Sequence, residues 1–161
     1  MPRSRRLAAF AGAVAITAAL TGCSTTVHLE PADDANNPAC ASVSVLLPDN
    51  VAGFDRVWTD AQASGAWGEP TTVVLRCGVE PPAPSALVCT TLGGVDWLVL
   101  DQEETRQRLV TYGREPAIEI NIRRGEQIDF QSIVDSLSKS IQSGLAPATA
   151  QCTDRVEFPA S

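Results

Sequence analysis

The placement of five cysteines constrains this chain most, because the first of them decides the surroundings of the other four. Arg3, Arg5 and Arg6 make a cationic start, Leu7 to Leu20 is an apolar run without charge or proline, and Leu20-Thr21-Gly22-Cys23 closes it. Fourteen apolar residues are too few to span a bilayer, which takes about 20. A charged start, a short apolar middle and small residues at the cut describe a signal peptide. The closing four residues look like a lipobox. In such a site Gly22 must be small so that a peptidase can approach the next amide, and the Cys23 thiol accepts a diacylglyceryl group. The expectation is a lipoprotein signal peptide over residues 1–22 and lipidation of Cys23. Acyl chains of the palmitate type would then hold the mature chain on the extracytoplasmic face of the cell membrane. Two or three chains at about 0.8 kcal/mol per buried CH₂ anchor stably, whereas one is marginal. The alternative is an ordinary signal peptide followed by a chance cysteine. Ser4-Arg5-Arg6-Leu7 partly resembles a twin-arginine signal, but the general secretory route is the preferred reading.

Cys40, Cys77, Cys89 and Cys152 remain. An even number in an exported domain reads as two disulfides. Four cysteines allow three pairings, and spacing alone does not choose among them. Buried thiols are the alternative. Metal is not expected: there is no C-x-x-C, and the single histidine, His28, lies five residues after the anchor, whereas zinc sites cluster Cys and His. No cofactor motif is visible, and Gly93-Gly94 is a turn rather than a phosphate loop. The three leader charges are all arginine, so the rest of the chain carries nine basic and 19 acidic side chains, a net of −10 against −7 for the whole. That balance argues against nucleic acid or an anionic membrane surface as a partner. Arginine outnumbers lysine 11 to 1, which suits a GC-rich bacterial genome.

Residues 23–37 are polar and poor in large apolar groups, and read as a flexible tether. A single extracytoplasmic domain then covers 38–161. Asn37 can cap a helix beginning at Pro38 and running to Leu47, with Cys40, Val43 and Leu47 on one face. The alternation of Val43 and Val45 leaves a strand open. Residues 48–70, with Gly53, Gly65, Gly68 and Pro70, read as irregular. Thr72 to Cys77 is a strand, and 80–85 is a proline-rich loop. Leu87–Leu92 and Val95–Leu100 form a hairpin across Gly93-Gly94. Arg108–Tyr112 and Ala117–Ile122 form another pair, in which Ile118, Ile120 and Ile122 alternate with polar residues. Arg123 to Glu126 turn the chain. Asp129 caps a last helix in which Phe130, Ile133, Val134, Leu137 and Ile141 share a stripe. Gly144 and Pro147 end it, and part of the tail 148–161 is held by Cys152. The expectation is an α+β fold: a disulfide-stapled antiparallel sheet of about four to five strands with two amphipathic helices on one face.

Cys40 before Leu47-Pro48, Gly53-Phe54-Asp55-Arg56, Ala66-Trp67-Gly68-Glu69-Pro70, Val73-Val74-Leu75-Arg76-Cys77-Gly78-Val79 and Gly94-Val95-Asp96-Trp97 together resemble the actinobacterial "domain of unknown function 3515" family. The similarity runs over about residues 38 to 122 and is most specific from Trp67 to Val79. The family consists of exported proteins and lipoproteins without an assigned activity. Its usual cysteines, one before the Leu-Pro and one in the Arg-Cys-Gly stretch, imply that Cys40 pairs with Cys77, which leaves Cys89 for Cys152.

No nucleophile has an imidazole partner, since His28 lies in the expected tether. Asp96, Asp101, Glu103 and Glu104 cluster, and Glu69 lies in the family motif. Glycoside cleavage needs two carboxyls about 5 to 9 Å apart, but Asp101, Glu103 and Glu104 read better as a solvated turn. Trp67, Glu69 and Arg76, with Asp96 and Trp97, are the candidate ligand residues: an aromatic platform beside a carboxylate and a guanidinium. The preferred reading is structural: Trp58, Trp67 and Trp97 as core, a glycine turn, and a Glu69–Arg76 ion pair. The functional expectation is a lipid-anchored, non-enzymatic binding or accessory domain for an envelope protein or wall component. The alternatives are a small carboxylate-dependent cell-wall hydrolase or transferase, and an assembly accessory without a discrete site.

Overall fold

The computed structural model describes residues 25–81, 87–102, 104–125 and 127–152, with the backbone alone at 101 and 102. Residues 1–24, with the expected leader and Cys23, as well as Glu103, Glu126, most of the proline-rich loop and the tail beyond Cys152, lie outside the described residues, as does the side chain of Asp101.

Asn37 accepts a hydrogen bond from the Ala39 amide at 3.0 Å and starts helix α1, Pro38–Ser44. The helix stops three residues short of the expected Leu47: Val45 and Leu46 bond back to Ala41 and Val43 and tighten the chain into a turn before Pro48. Asp129 caps helix α2, Phe130–Gly144, through the Ser132 amide at 3.0 Å. Its stripe of Ile133, Val134, Leu137 and Ile141 is fully buried. Both helices contribute to a core shared with Leu75, Cys77, Ile118, Ile120, Ile122, Leu109, Trp67 and Trp97.

The strands are β1 Thr26–Val27, β2 Asn50–Val51, β3 Phe54–Thr59, β4 Ser64–Trp67, β5 Val73–Val79, β6 Cys89–Leu92, β7 Val95–Gln102, β8 Arg106–Thr111 and β9 Ala117–Arg123. They form one sheet in the order β1-β3-β4-β5-β9-β8-β7-β6, with β2 paired to β3. All pairings are antiparallel except β1 with β3, which is parallel. Gly93 and Gly94 both take positive φ, at 58° and 73°, the geometry of a tight hairpin turn between β6 and β7.

The expected antiparallel sheet of four to five strands with two helices on one face is thus corrected to a large mixed sheet of nine strands with two helices. The missing strands come from segments read as irregular or as tether. Gly53, at φ 90°, turns the chain between β2 and β3. Gly65 sits inside β4, where a Cβ would meet the Trp67 ring at 2.7 Å and Leu47 at 2.9 Å. That glycine marks a close approach over a strand, not a break.

Residues 25–37, expected as a flexible tether, run against the domain instead. Thr26 and Val27 pair with Trp58 and Thr59. Asp60 accepts the Leu29 amide at 2.9 Å and contacts His28 at 2.6 Å. The Asp34 amide donates to Gly78 at 3.0 Å, and Ala35 is buried. These contacts are mostly polar, so they leave no apolar periodicity in the sequence.

Disulfides join Cys40 to Cys77 and Cys89 to Cys152, the pairs the resemblance implies. The first ties α1 to β5. The second holds Cys152 against edge strand β6, with Thr149 also bonded to Gly113 at 2.7 Å.

Candidate functional site

In β5, β9 and β8 the odd–even alternation sends Leu75, Cys77, Ile118, Ile120, Ile122 and Leu109 into the core. The intervening residues therefore project from the opposite face. Register then decides what meets there. Arg76 lies directly across from Glu119, and Arg108 lies across from Asn121, next but one to Glu119. Cross-strand and diagonal neighbours are within reach of long side chains. Arg76 donates through Nε and Nη2 to Glu119 Oε1 at 3.2 and 2.7 Å, and Arg108 Nη2 donates to Oε2 at 2.7 Å. Arg106 donates to Asn121 at 3.0 Å. With Val27, Leu29, Glu30, Thr71 and Val74 these residues line a groove of about 520 Å³.

Glu119 is the electrostatic centre of the groove. Its side chain is 7% exposed, while the Arg76 and Arg108 side chains are 31% and 33% exposed. Burial alone would raise its pKa, but the hydrogen bonds and charges of Arg108 and Arg76 outweigh burial and hold it below the usual glutamate range. A carboxylate held ionised in this way is a counter-ion that aims two arginines, not a proton donor. Three arginines against Glu119 and Glu30 leave the groove net positive on a chain of net charge −7. Chemically, the wall can accept an anionic group.

Of the five candidate ligand residues, only Arg76 lies in this groove. Trp67 is fully buried, with its indole N–H donated to Pro48 O at 2.9 Å and the Arg56 guanidinium 6.0 Å from its ring centre. Trp97 is equally buried and donates to Leu92 O at 3.2 Å. Neither offers a platform, so the packed reading describes both. Glu69 is exposed in the turn after β4 and accepts from Thr25 at 3.0 Å. It does not pair with Arg76, which Glu119 takes; the expected Glu69–Arg76 ion pair is corrected accordingly. Asp96 accepts from Thr91 at 2.5 Å and from the Cys152 amide at 3.1 Å, so it braces the tail. Arg106, Arg108, Glu119 and Asn121 were not legible as a site. The available signal is alternation: Arg106-x-Arg108 and Glu119-x-Asn121 occupy the polar positions of their strands.

Among the described residues no group of three or more His, Cys, Asp or Glu could hold a metal ion. No described helix is long and apolar enough to cross a membrane.

Fold and groove together define a disulfide-stapled mixed-sheet domain with an arginine-lined outer face. A family model described as "Protein of unknown function (DUF3515)" matches residues 7–150. The chain belongs to that family. No curated protein and no solved structure matches it.

Proposed function

We propose that this protein is a lipid-anchored extracytoplasmic binding domain, without catalytic function, whose groove takes a carboxylate or phosphate group of an envelope protein or wall component. The observation that carries the binding reading is the pairing of Arg76 and Arg108 with Glu119, with Arg106 bonded to Asn121 in the same groove, on the face of the sheet away from the core. Guanidiniums are suited to bidentate recognition of such anions. The anchor reading is supported by the charged start, short apolar run and lipobox-like Leu20-Thr21-Gly22-Cys23. The cell-membrane location and actinobacterial source are part of the same proposal; the first rests on that segment and the second on the family resemblance.

A carboxylate-dependent hydrolase or transferase is the alternative. It needs one carboxyl that keeps its proton near neutral pH. The described carboxylates with resolved shifts, Asp60, Glu119 and Asp129, are all lowered. None of these three suits the role of proton donor.

The test is a solution NMR titration of the detergent-solubilised protein with citrate and, separately, with inorganic phosphate. The Arg76 and Arg106 Nε signals should shift saturably, while that of Arg114, which is not among the groove residues, stays fixed. Arg106→Gln should weaken binding roughly five-fold, the equivalent of about 1 kcal/mol for one charge-assisted contact. Shifts spread evenly over all arginines, or none at all, would sink the binding reading. If only one probe binds, that identifies the anion.

A further inference from the structure

Two of the three tryptophans are fully buried, but Trp58 on β3 is 73% exposed. Its place in the fold gives that exposure a meaning. Trp58 is the register partner of Thr26, so the two backbones are one strand spacing apart, about 4.8 Å. Cys23 precedes Thr26 by three residues, a span of at most about 11 Å of extended chain. There is little slack to add. Thr25 is bonded to Glu69, and Asp60 holds His28 and Leu29.

A lipid on Cys23 would therefore not suspend this domain at a distance. It would hold the β1–β3 margin at the bilayer surface. The headgroup layer is about 5 to 7 Å thick on each side of the hydrocarbon, comparable with that reach. Tryptophan is the side chain that favours this depth, having an apolar body and a polar N–H. Beside it, Asp49 and Arg56 line a depression of about 360 Å³ with Trp58, so both signs of charge are offered to zwitterionic headgroups.

We infer that the β1–β3 margin is a membrane-contact surface, with Trp58 seated among phospholipid headgroups next to the lipid of Cys23. This inference rests on the proposed lipidation. It commits the protein to a close, edge-down orientation in place of free movement on a tether.

The native protein supplies its own probe, because the other two tryptophans are enclosed. Protein extracted from membranes is reconstituted into phosphatidylcholine vesicles carrying a spin label either near the headgroup or deep in the acyl chain. The vesicles should float with the protein. The shallow label should quench the exposed tryptophan emission at least two-fold more than the deep one, and vesicles should shield that emission from aqueous iodide. Trp58→Phe, at an exposed position, should fold normally by circular dichroism and lose this response. Protein that floats with the vesicles but shows neither quenching nor iodide shielding would overturn the contact surface while leaving the anchor standing. Protein that carries no lipid and does not float would overturn both.

Discussion

Replacing Cys40 and Cys77 together by alanine is expected to remove about 4 kcal/mol of stability in the chain-entropy account of cross-links. The bond closes a separation of 37 residues, and both cysteines are buried in the core. It also fixes α1, whose seven residues are too few to form a stable helix without tertiary contacts. The helix contributes Cys40 and Val43 to the core, and the segment after it places Leu47 against Gly65 and Pro48 against Trp67. Loosening α1 should therefore open the side of the core that Trp67 fills. Urea unfolding would show a lower midpoint for the double variant, with native-state amide exchange rising first in residues 38–48. An unfolding free energy unchanged to within about 1 kcal/mol would mean that packing alone holds the helix, and would contradict this account of the staple.

The second large effect is at Glu119. Removing one partner from a buried ion pair typically costs about 3 to 5 kcal/mol, but the two arginine side chains here are about a third exposed, so Glu119→Gln should cost about 2 kcal/mol. The sign of the pH dependence follows from the lowered pKa. The ionised form is favoured more in the folded chain than in the unfolded one. Its stabilising contribution is therefore complete above the ordinary glutamate range and is lost as pH falls through the lowered folded value. Asp60 and Asp129, also lowered, remain in the variant and cancel in the comparison. The advantage of the wild type over Glu119→Gln should thus be largest near neutral pH and should shrink on acidification. Parallel stability curves for the two proteins would show that the arginine pair does not depend on this charge.

How far the sequence reveals the fold depends on whether an element carries its own period. α2 is legible because its apolar stripe repeats over four turns and Asp129 caps it. The β6–β7 turn is legible because Gly93-Gly94 sits between apolar runs, and β9 because isoleucine alternates with polar residues. By contrast β4, Ser64–Trp67, is buried on both sides throughout, so it shows no alternation, and its Gly65 reads as a break. β1 and β2 have two residues each and exist only through their pairing with β3. The groove fails to show in the sequence for a related reason. Val74-x-Arg76, Arg106-x-Arg108 and Glu119-x-Asn121 each look like an ordinary solvated strand face. Only the order β5-β9-β8 brings them together, and Arg76 stands 43 residues from Glu119. Trp67 and Trp97 are core, as the packed reading has it, whereas Trp58, read the same way, is exposed.

The anchor proposed at Cys23 underlies both the proposed location of the groove and the orientation inferred from Trp58. Intact-mass analysis of the protein extracted from its own membrane tests it most directly. The account predicts a mature chain that begins at Cys23, two disulfides, and added mass equal to a thioether-linked diacylglyceryl group. A chain that begins elsewhere, with an unmodified thiol at residue 23, would contradict it.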